Sequence, residues 1–218
     1  MGEKRQKLIF VRHGETGWNS SFRFQGQTDV PLGEEGRRQS ALLAERLSHV
    51  SFDRIYSSPL SRAFETASII SGRVLIPDGI IKMEGLSEMC FGRWEGLAPA
   101  EIQEKDPDLF HSWWKDPSSV TPPGGEPFHG LVSRAGAALR TILKDDDENI
   151  LVVCHGGTIR AALTALLDVP PSAAWKVRVD NCSISIMDVH ENWIMLRYMN
   201  DTIHLLAAPS PDFVIPVF

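Results

Sequence analysis

The stretch Leu8-Ile9-Phe10-Val11-Arg12-His13-Gly14-Glu15-Thr16 decides the fold. An unbroken apolar run, rather than a polar alternation, reads as a strand buried on both faces of a parallel sheet. The polar turn that follows places Arg12 and His13 where that strand ends. The same pattern recurs at Ile150 to Val153, followed by His155-Gly156-Gly157-Thr158. Around these two strands, Leu32-Gly33-Glu34-Glu35-Gly36 leads into an amphipathic helix over Arg37 to Leu47. Arg54-Ile55-Tyr56 is a short strand, Ser58-Pro59 opens a helix running to Ile70 with proline in its first turn, and Thr158 to Leu167 is a helix stopped by Pro170-Pro171. Strand, loop and helix in repeated alternation are the pattern of an α/β domain.

Two segments depart from that rhythm. Ser183 to Val189 and Trp193 to Tyr198 alternate around His190-Glu191-Asn192 and read as a hairpin or as two adjacent edge strands. Pro77 to Pro127 is rich in proline and holds Trp94, Trp113 and Trp114, with one helix expected over Pro99 to Trp114. It reads as an insertion, or lid, at about 77–130 of a single domain spanning 1–218, because so short a segment does not bury a core of its own. Trp113-Trp114 reads equally as its packing or as a wall of a pocket.

The composition narrows the function. At 218 residues, 43% hydrophobic and 23% charged, the chain builds a core without disulfides or a structural metal, and coiled coil, collagen and disorder are excluded. Its 22 basic against 28 acidic side chains give a net charge of −6, which argues against a nucleic-acid surface. No apolar run approaches the roughly 18 residues of a membrane span. Lys4, Arg5 and Lys7 read as a solvated flank, Gly2 lacks the Ser or Thr that myristoylation wants at Gln6, and no signal peptide is visible. Cys90, Cys154 and Cys182 are odd in number and form no CxxC pair, so a cytoplasmic protein is the default expectation.

Three strand ends carry polar groups: Arg12-His13-Gly14-Glu15-Thr16, Ser57-Ser58-Pro59-Leu60-Ser61-Arg62 and His155-Gly156-Gly157-Thr158. In an open parallel sheet such ends line the ligand crevice. Two histidines and two arginines converging there suit a small dianion, with guanidinium forks and glycine-exposed backbone N–H groups as donors. A neutral imidazole in such a pocket attacks phosphorus directly, and the leaving alkoxide then needs a proton. Glu88, flanked by apolar residues that disfavour ionisation, is the candidate donor, with Glu84 and Glu95 as neighbouring alternatives. The arginine beside His13 disfavours a metal cation. Arg62 taken alone would read as a surface partner of Glu65.

Val11-Arg12-His13-Gly14-Glu15-Thr16-Gly17-Trp18-Asn19, continued by Gln25-Gly26-Gln27-Thr28-Asp29-Val30-Pro31-Leu32, resembles the histidine phosphatase superfamily, also called phosphoglycerate mutase-like. The resemblance extends through Ser57 to Ala63, Glu88 with Gly92-Arg93-Trp94-Glu95-Gly96, Pro123-Gly124-Gly125-Glu126, His155-Gly156-Gly157 and Asn200 to Leu205. It implies a three-layer α/β/α sandwich with a largely parallel sheet, His13 as phosphorylated nucleophile, Glu88 as proton donor, and Arg12, Arg62 and His155 as phosphate ligands. Asn19, Thr16, Gln25, Gly26 and Gly156 are implied substrate contacts. Within the superfamily the chain looks more like the bacterial phosphatases, which include α-ribazole, metal-independent phosphoserine and broad-specificity enzymes, than the glycolytic mutases. From Asp78 to Gly130 its only cations are Lys82, Arg93, Lys105 and Lys115, little to hold a second phosphate. The expectation is a metal- and cofactor-free phosphatase of a small phosphate monoester, monomeric or homodimeric. A mutase and a non-catalytic phospholigand sensor are the alternatives. His204 reads as a buttress and Cys154 as a small hydrophobe, while Trp175 and the tail Phe213 to Phe218 are open between a pocket cap and a dimer contact.

Overall fold

The computed structural model describes residues 5–74, 76 and 78–206. The readings made for Gly2, Lys4, Pro77 and the tail Phe213 to Phe218 lie outside them. Six strands, β1 (Arg5–Arg12), β2 (Arg54–Ser57), β3 (Ile80–Lys82), β4 (Asn149–Cys154), β5 (Ile184–His190) and β6 (Ile194–Asp201), form one sheet in the order β3-β2-β4-β1-β5-β6. The first four in that order are parallel, and β5 and β6 are antiparallel. The helices are α1 (Gly17–Ser20), α2 (Glu34–Leu47), α3 (Ser61–Ser71), α4 (Pro99–Lys105), α5 (Pro107–Lys115), α6 (Phe128–Ile142), α7 (Gly156–Leu167) and α8 (Pro171–Ala174).

The period of two along the central strands sorts their side chains onto the two faces. Leu8, Phe10, Ile150, Val152 and Cys154 pack with α6 and α7, through Leu139, Ile142, Ile159 and Leu163. Ile9, Val11, Leu151 and Val153 pack with α2 and α3, through Leu43, Leu47, Ala63 and Ile70. Both faces are covered, which is why these strands carry no polar alternation. The result is the expected three-layer sandwich. Burial pushes the Cys154 thiol well above its ordinary value, in keeping with a small core hydrophobe.

Several boundaries differ from the sequence reading. Helix α2 begins three residues earlier, at Glu34, where Glu34 and Glu35 occupy its first turn and favour the positive end of the dipole. Pro59 is not in the first turn of α3: Leu60 is the N-cap and holds extended backbone. Helix α7 begins at Gly156 with His155 as its N-cap, two residues before the expected start. The single helix expected over Pro99 to Trp114 is two, broken at Asp106 (φ −132°, ψ 59°). Pro107 disfavours helical backbone at the residue before it, and the Asp106 carboxylate accepts a 2.8 Å bond from the buried Trp94 indole.

The hairpin at the C-terminal side is present as β5 and β6. Inside the proline-rich segment, Ile80–Lys82 adds the edge strand β3, which the reading missed. That segment also gathers an aromatic cluster of Phe91, Trp94, Phe110 and Trp113, completed by Phe128, Leu131 and Ala135 of α6. It shares its core with the sandwich. Trp113 is buried in this cluster whereas Trp114 is exposed, so the adjacent tryptophans take opposite roles. Trp175 belongs to the same cluster, its ring 5.4 Å from those of Trp113 and Phe128.

Candidate active site

His13 and His155 are each the first residue past a strand, β1 and β4, whose last residues Arg12 and Cys154 are paired in the sheet. Their rings lie 5.1 Å apart, edge to face. Nδ1 of His13 is 2.7 Å from the carbonyl of Gly14. A carbonyl oxygen only accepts, so Nδ1 carries the proton and Nε2 holds the free lone pair. Burial, reinforced by Arg62 and Arg12, holds the ring well below the ordinary imidazole value, and it is neutral. His155 is also held neutral by burial and then by Arg62. Its Nε2 meets the Ser58 hydroxyl at 2.8 Å, and its Nδ1 is buried without a partner.

The loop that carries His13 is set against α2 at two glycines. A Cβ on Gly36 would overlap the carbonyl of Glu15, and one on Gly14 would overlap the carbonyl of Gly36. Thr16 is buried and caps α1, its hydroxyl bonding Asn19 Oδ1 at 3.2 Å. Asn181 donates to the His13 carbonyl at 2.9 Å. No local signal in the sequence marks Asn181, which arrives from the turn before β5.

Arg62 is fully buried on α3, donating to the carbonyls of Gly26 at 2.6 Å and Thr28 at 3.0 Å. Burial lowers its pKa to about 10, and it remains a cation at neutral pH. Glu65 is not its partner, being paired instead with Arg37 at 2.6 Å. Arg12 donates to the Val179 carbonyl at 2.6 Å. The Nε atoms of both arginines are buried and unpartnered. Buried donors are rarely left so, and His155 Nδ1 is a further buried nitrogen without a partner. A bound anion would satisfy such donors.

Glu88 Oε1 accepts from its neighbour Met89 N–H at 2.8 Å and Oε2 from Gly157 N–H at 3.0 Å. The flanks Leu86 and Met89 are buried as expected, and the carboxyl head is held by two backbone donors. A side chain on Gly157 would overlap it. The alternatives are placed elsewhere. Glu84 is exposed, and Glu95 binds the N–H groups of Gln27, Thr28 and Phe91 at 2.9 to 3.0 Å.

Arg12, His13, Asn19, Gln25, Gly26, Arg62, Glu88 and Asn181 line one cavity of 640 Å³, together with Glu15, Trp18, Phe22, Arg23, Phe24, Phe91, Pro99 and Trp114. Thr16, His155 and Gly156 are not on its wall. His155 and Gly156 are fully enclosed or nearly so, behind the His13 ring and Arg12. None of Lys82, Arg93, Lys105 and Lys115 reaches the wall. Sequence reasoning also missed Arg160, a further cation whose pKa burial lowers to about 10 and which lies over the Trp175 ring at 5.1 Å. Among the described residues no cluster of three or more His, Cys, Asp or Glu is placed to hold a metal ion.

The model of the histidine phosphatase superfamily (branch 1) matches residues 8–202. The chain belongs to that superfamily. This histidine phosphatase is 36% identical over 200 residues to phosphoserine phosphatase 1 of Hydrogenobacter thermophilus, an alignment covering 91% of this chain and 94% of the relative. It is 31% identical over 195 residues to the adenosylcobalamin/alpha-ribazole phosphatase of Salmonella typhimurium, covering 89% and 96%. Among solved structures it is similar to Bacillus stearothermophilus YhfR, with a TM-score of 0.86 and 35% identity over 92% of this chain and all of the other. Phosphoserine, alpha-ribazole and glucosyl-3-phosphoglycerate all appear in the names of its relatives and of similar solved structures, and the family alone does not choose among them. No helix among its described residues is long and apolar enough to cross a membrane.

Proposed function

We propose that this histidine phosphatase is a metal-independent phosphomonoesterase that hydrolyses a small phosphorylated metabolite through a phosphohistidine on His13. The observation that carries the reading is the His13 ring: its Nδ1 proton is committed to the Gly14 carbonyl, and a neutral Nε2 stands in a cavity walled by Arg12, Arg62 and Glu88. In the first step Nε2 attacks phosphorus, the ester P–O bond breaks, and Glu88 in its acid form gives its proton to the leaving oxygen. Arg12 and Arg62 hold the phosphoryl oxygens, with Asn19, Gln25 and Gly26 as the surrounding contacts, while His155 and Gly156, off the wall, back the His13 ring and Arg12. In the second step water attacks the phosphohistidine, Glu88 takes the water's proton, and the P–N bond breaks to release phosphate.

Hydrolysis is favoured over mutase chemistry by the wall itself. Beyond Arg12 and Arg62 its one other cation among the described residues is Arg23, which is paired with Glu101 at 2.7 Å. A second phosphate would meet, among the described lining residues, only this arginine, already paired. The test is phosphate release in EDTA from p-nitrophenyl phosphate, α-ribazole phosphate, phosphoserine and both phosphoglycerates, with His13→Ala as the blank, and acid-labile label trapped on the wild-type protein. Release that persists in His13→Ala overturns the reading, and interconversion of the phosphoglycerates without release replaces it with a mutase.

A further inference from the structure

The cavity is much larger than a phosphate needs, and its far end differs in character from the end that holds His13. Trp18, Phe22, Pro99 and Trp114 form its mouth. Phe22 is 78% exposed and Trp114 75% exposed. Phe22 also sits at φ +54°, a left-handed conformation that is costly for a bulky side chain. An exposed phenyl ring at a strained position gains the fold nothing by packing. Single exposed aromatics are ordinary, but these come from two separate elements, the turn after α1 and the end of α5, and line one cavity. On the far side of Trp114 a second hollow of 390 Å³ continues over Pro99, Ala100, Phe110 and His111. Pro99 and Trp114 are common to both. An apolar path therefore runs outward from the phosphate end, across the Trp114 ring.

The polar groups at the mouth point the same way. Arg23 is engaged by Glu101 and the Gly96 carbonyl, and Glu15 adds a carboxylate to the wall. Beyond Arg12 and Arg62, an anionic group on the substrate body would meet, among the described lining residues, one cation, Arg23, already engaged through Nη1, and the Glu15 carboxylate.

Resting on the phosphomonoesterase reading, we infer that the substrate is a monophosphate whose body carries a flat apolar ring, gripped between Phe22 and Trp114, rather than a small carboxylate-bearing phosphate. Aromatic faces hold such a ring in stacked or edge-on contact.

Isothermal titration with 2-phenylethylphosphonate and ethylphosphonate reads the ring without requiring turnover, since the two ligands differ only in the phenyl group. The expected result is binding about thirtyfold tighter for the phenyl ligand, the scale of one buried ring. That ratio falls at least fivefold in Phe22→Ala and in Trp114→Ala, and is unchanged in Trp193→Ala, which removes an exposed tryptophan on the β6 side of the sheet. Dissociation constants within threefold of each other in the wild type overturn the inference. So does a ratio that survives both rim variants. Phosphate release from the matching esters, with His13→Ala as control, is scored separately: equal, His13-dependent release from both esters leaves the phosphatase standing and removes the ring, whereas ring-selective binding without release keeps the ring and removes the hydrolase.

Discussion

The guanidinium of Arg134 donates to the backbone carbonyl of Glu88 at 2.7 Å, and the same side chain holds the carbonyls of Ser87 at 2.6 Å and Gly85 at 3.1 Å. Glu126 clamps it from the other side at 2.6 and 3.2 Å. The Pro123-Gly124-Gly125-Glu126 motif thereby reaches the proposed proton donor through one arginine. Arg134→Met leaves those carbonyls and the Glu126 carboxylate without their donor, and about 2–4 kcal/mol of stability is expected to be lost. With Glu88 no longer fixed, kcat for alkyl phosphates falls tenfold or more, on the scale of a misplaced catalytic group, roughly 10²-fold per ångström at the extreme. Arg134→Lys recovers part of the stability and less of the rate, because an ammonium does not reproduce the fork. Urea titration and the alkyl to aryl rate ratio check both halves.

Replacing Glu88 itself separates proton donation from binding. Glu88→Gln keeps the size of the side chain and an acceptor toward one of the Met89 and Gly157 N–H groups, but not both, and has no acidic proton. Alkyl phosphates are expected to slow by about 10²–10⁴-fold, while p-nitrophenyl phosphate, whose leaving group needs no proton, slows far less in the phosphorylation step. Single-turnover measurements isolate that step, and equal losses on both substrates would assign the donor elsewhere.

The glycine contact behind His13 is testable without touching the chemistry. Gly36→Ala drives a methyl into the Glu15 carbonyl, and the loop must shift or α2 must move. A cost of about 1–3 kcal/mol, the range of overpacking, is expected in thermal melts, with a lower kcat from the displaced imidazole. Gly17→Ala, where a Cβ meets nothing within 4 Å, is the control.

What could be read from the chain follows from the range of the forces involved. Leu8 to Val11 and Ile150 to Val153 announced a doubly covered sheet because burial on both faces acts on every residue of the run. The strand-end motifs marked His13, His155 and Arg62 because each lies within a few residues of its strand. Arg134 and Asn181 were illegible: their partners, Glu88 and His13, are 46 and 168 residues away in sequence. Phe110 has both Trp113, three residues on, and Trp114, four residues on, as helix neighbours, so spacing on α5 does not say which tryptophan is buried; the surrounding cluster decides it. The break at Asp106 was legible in Pro107, and the strand Ile80–Lys82 was not, since three residues carry no periodicity.

The pH dependence of stability has a definite sign. His13 and His155 are held neutral by burial, and burial with Arg46 lowers His204 from 6.5 to about 4. The unfolded chain binds protons at these positions at ordinary imidazole pH while the folded chain does not, so stability is fully present above about 6.5 and falls as the pH drops toward 4. Urea midpoints at pH 7.5, 6 and 5 are expected to decline in that order. His204 Nδ1 accepts from Arg46 at 3.1 Å, and His204→Gln, which keeps an acceptor and removes the titration, flattens part of the decline.

The spacing of the two histidines is inherited rather than adjusted. Because β1 and β4 are neighbours with Arg12 opposite Cys154, the residues that follow are set apart by the interval between adjacent strands, about 4.8 Å, and the rings stand 5.1 Å apart. Backbone hydrogen bonding is the ruler. A slip of one residue between the strands would shift one histidine by about 3.3 Å and turn its flanking side chains to the opposite layer, so the same pairing that keeps the core dry keeps the gap between the imidazoles constant.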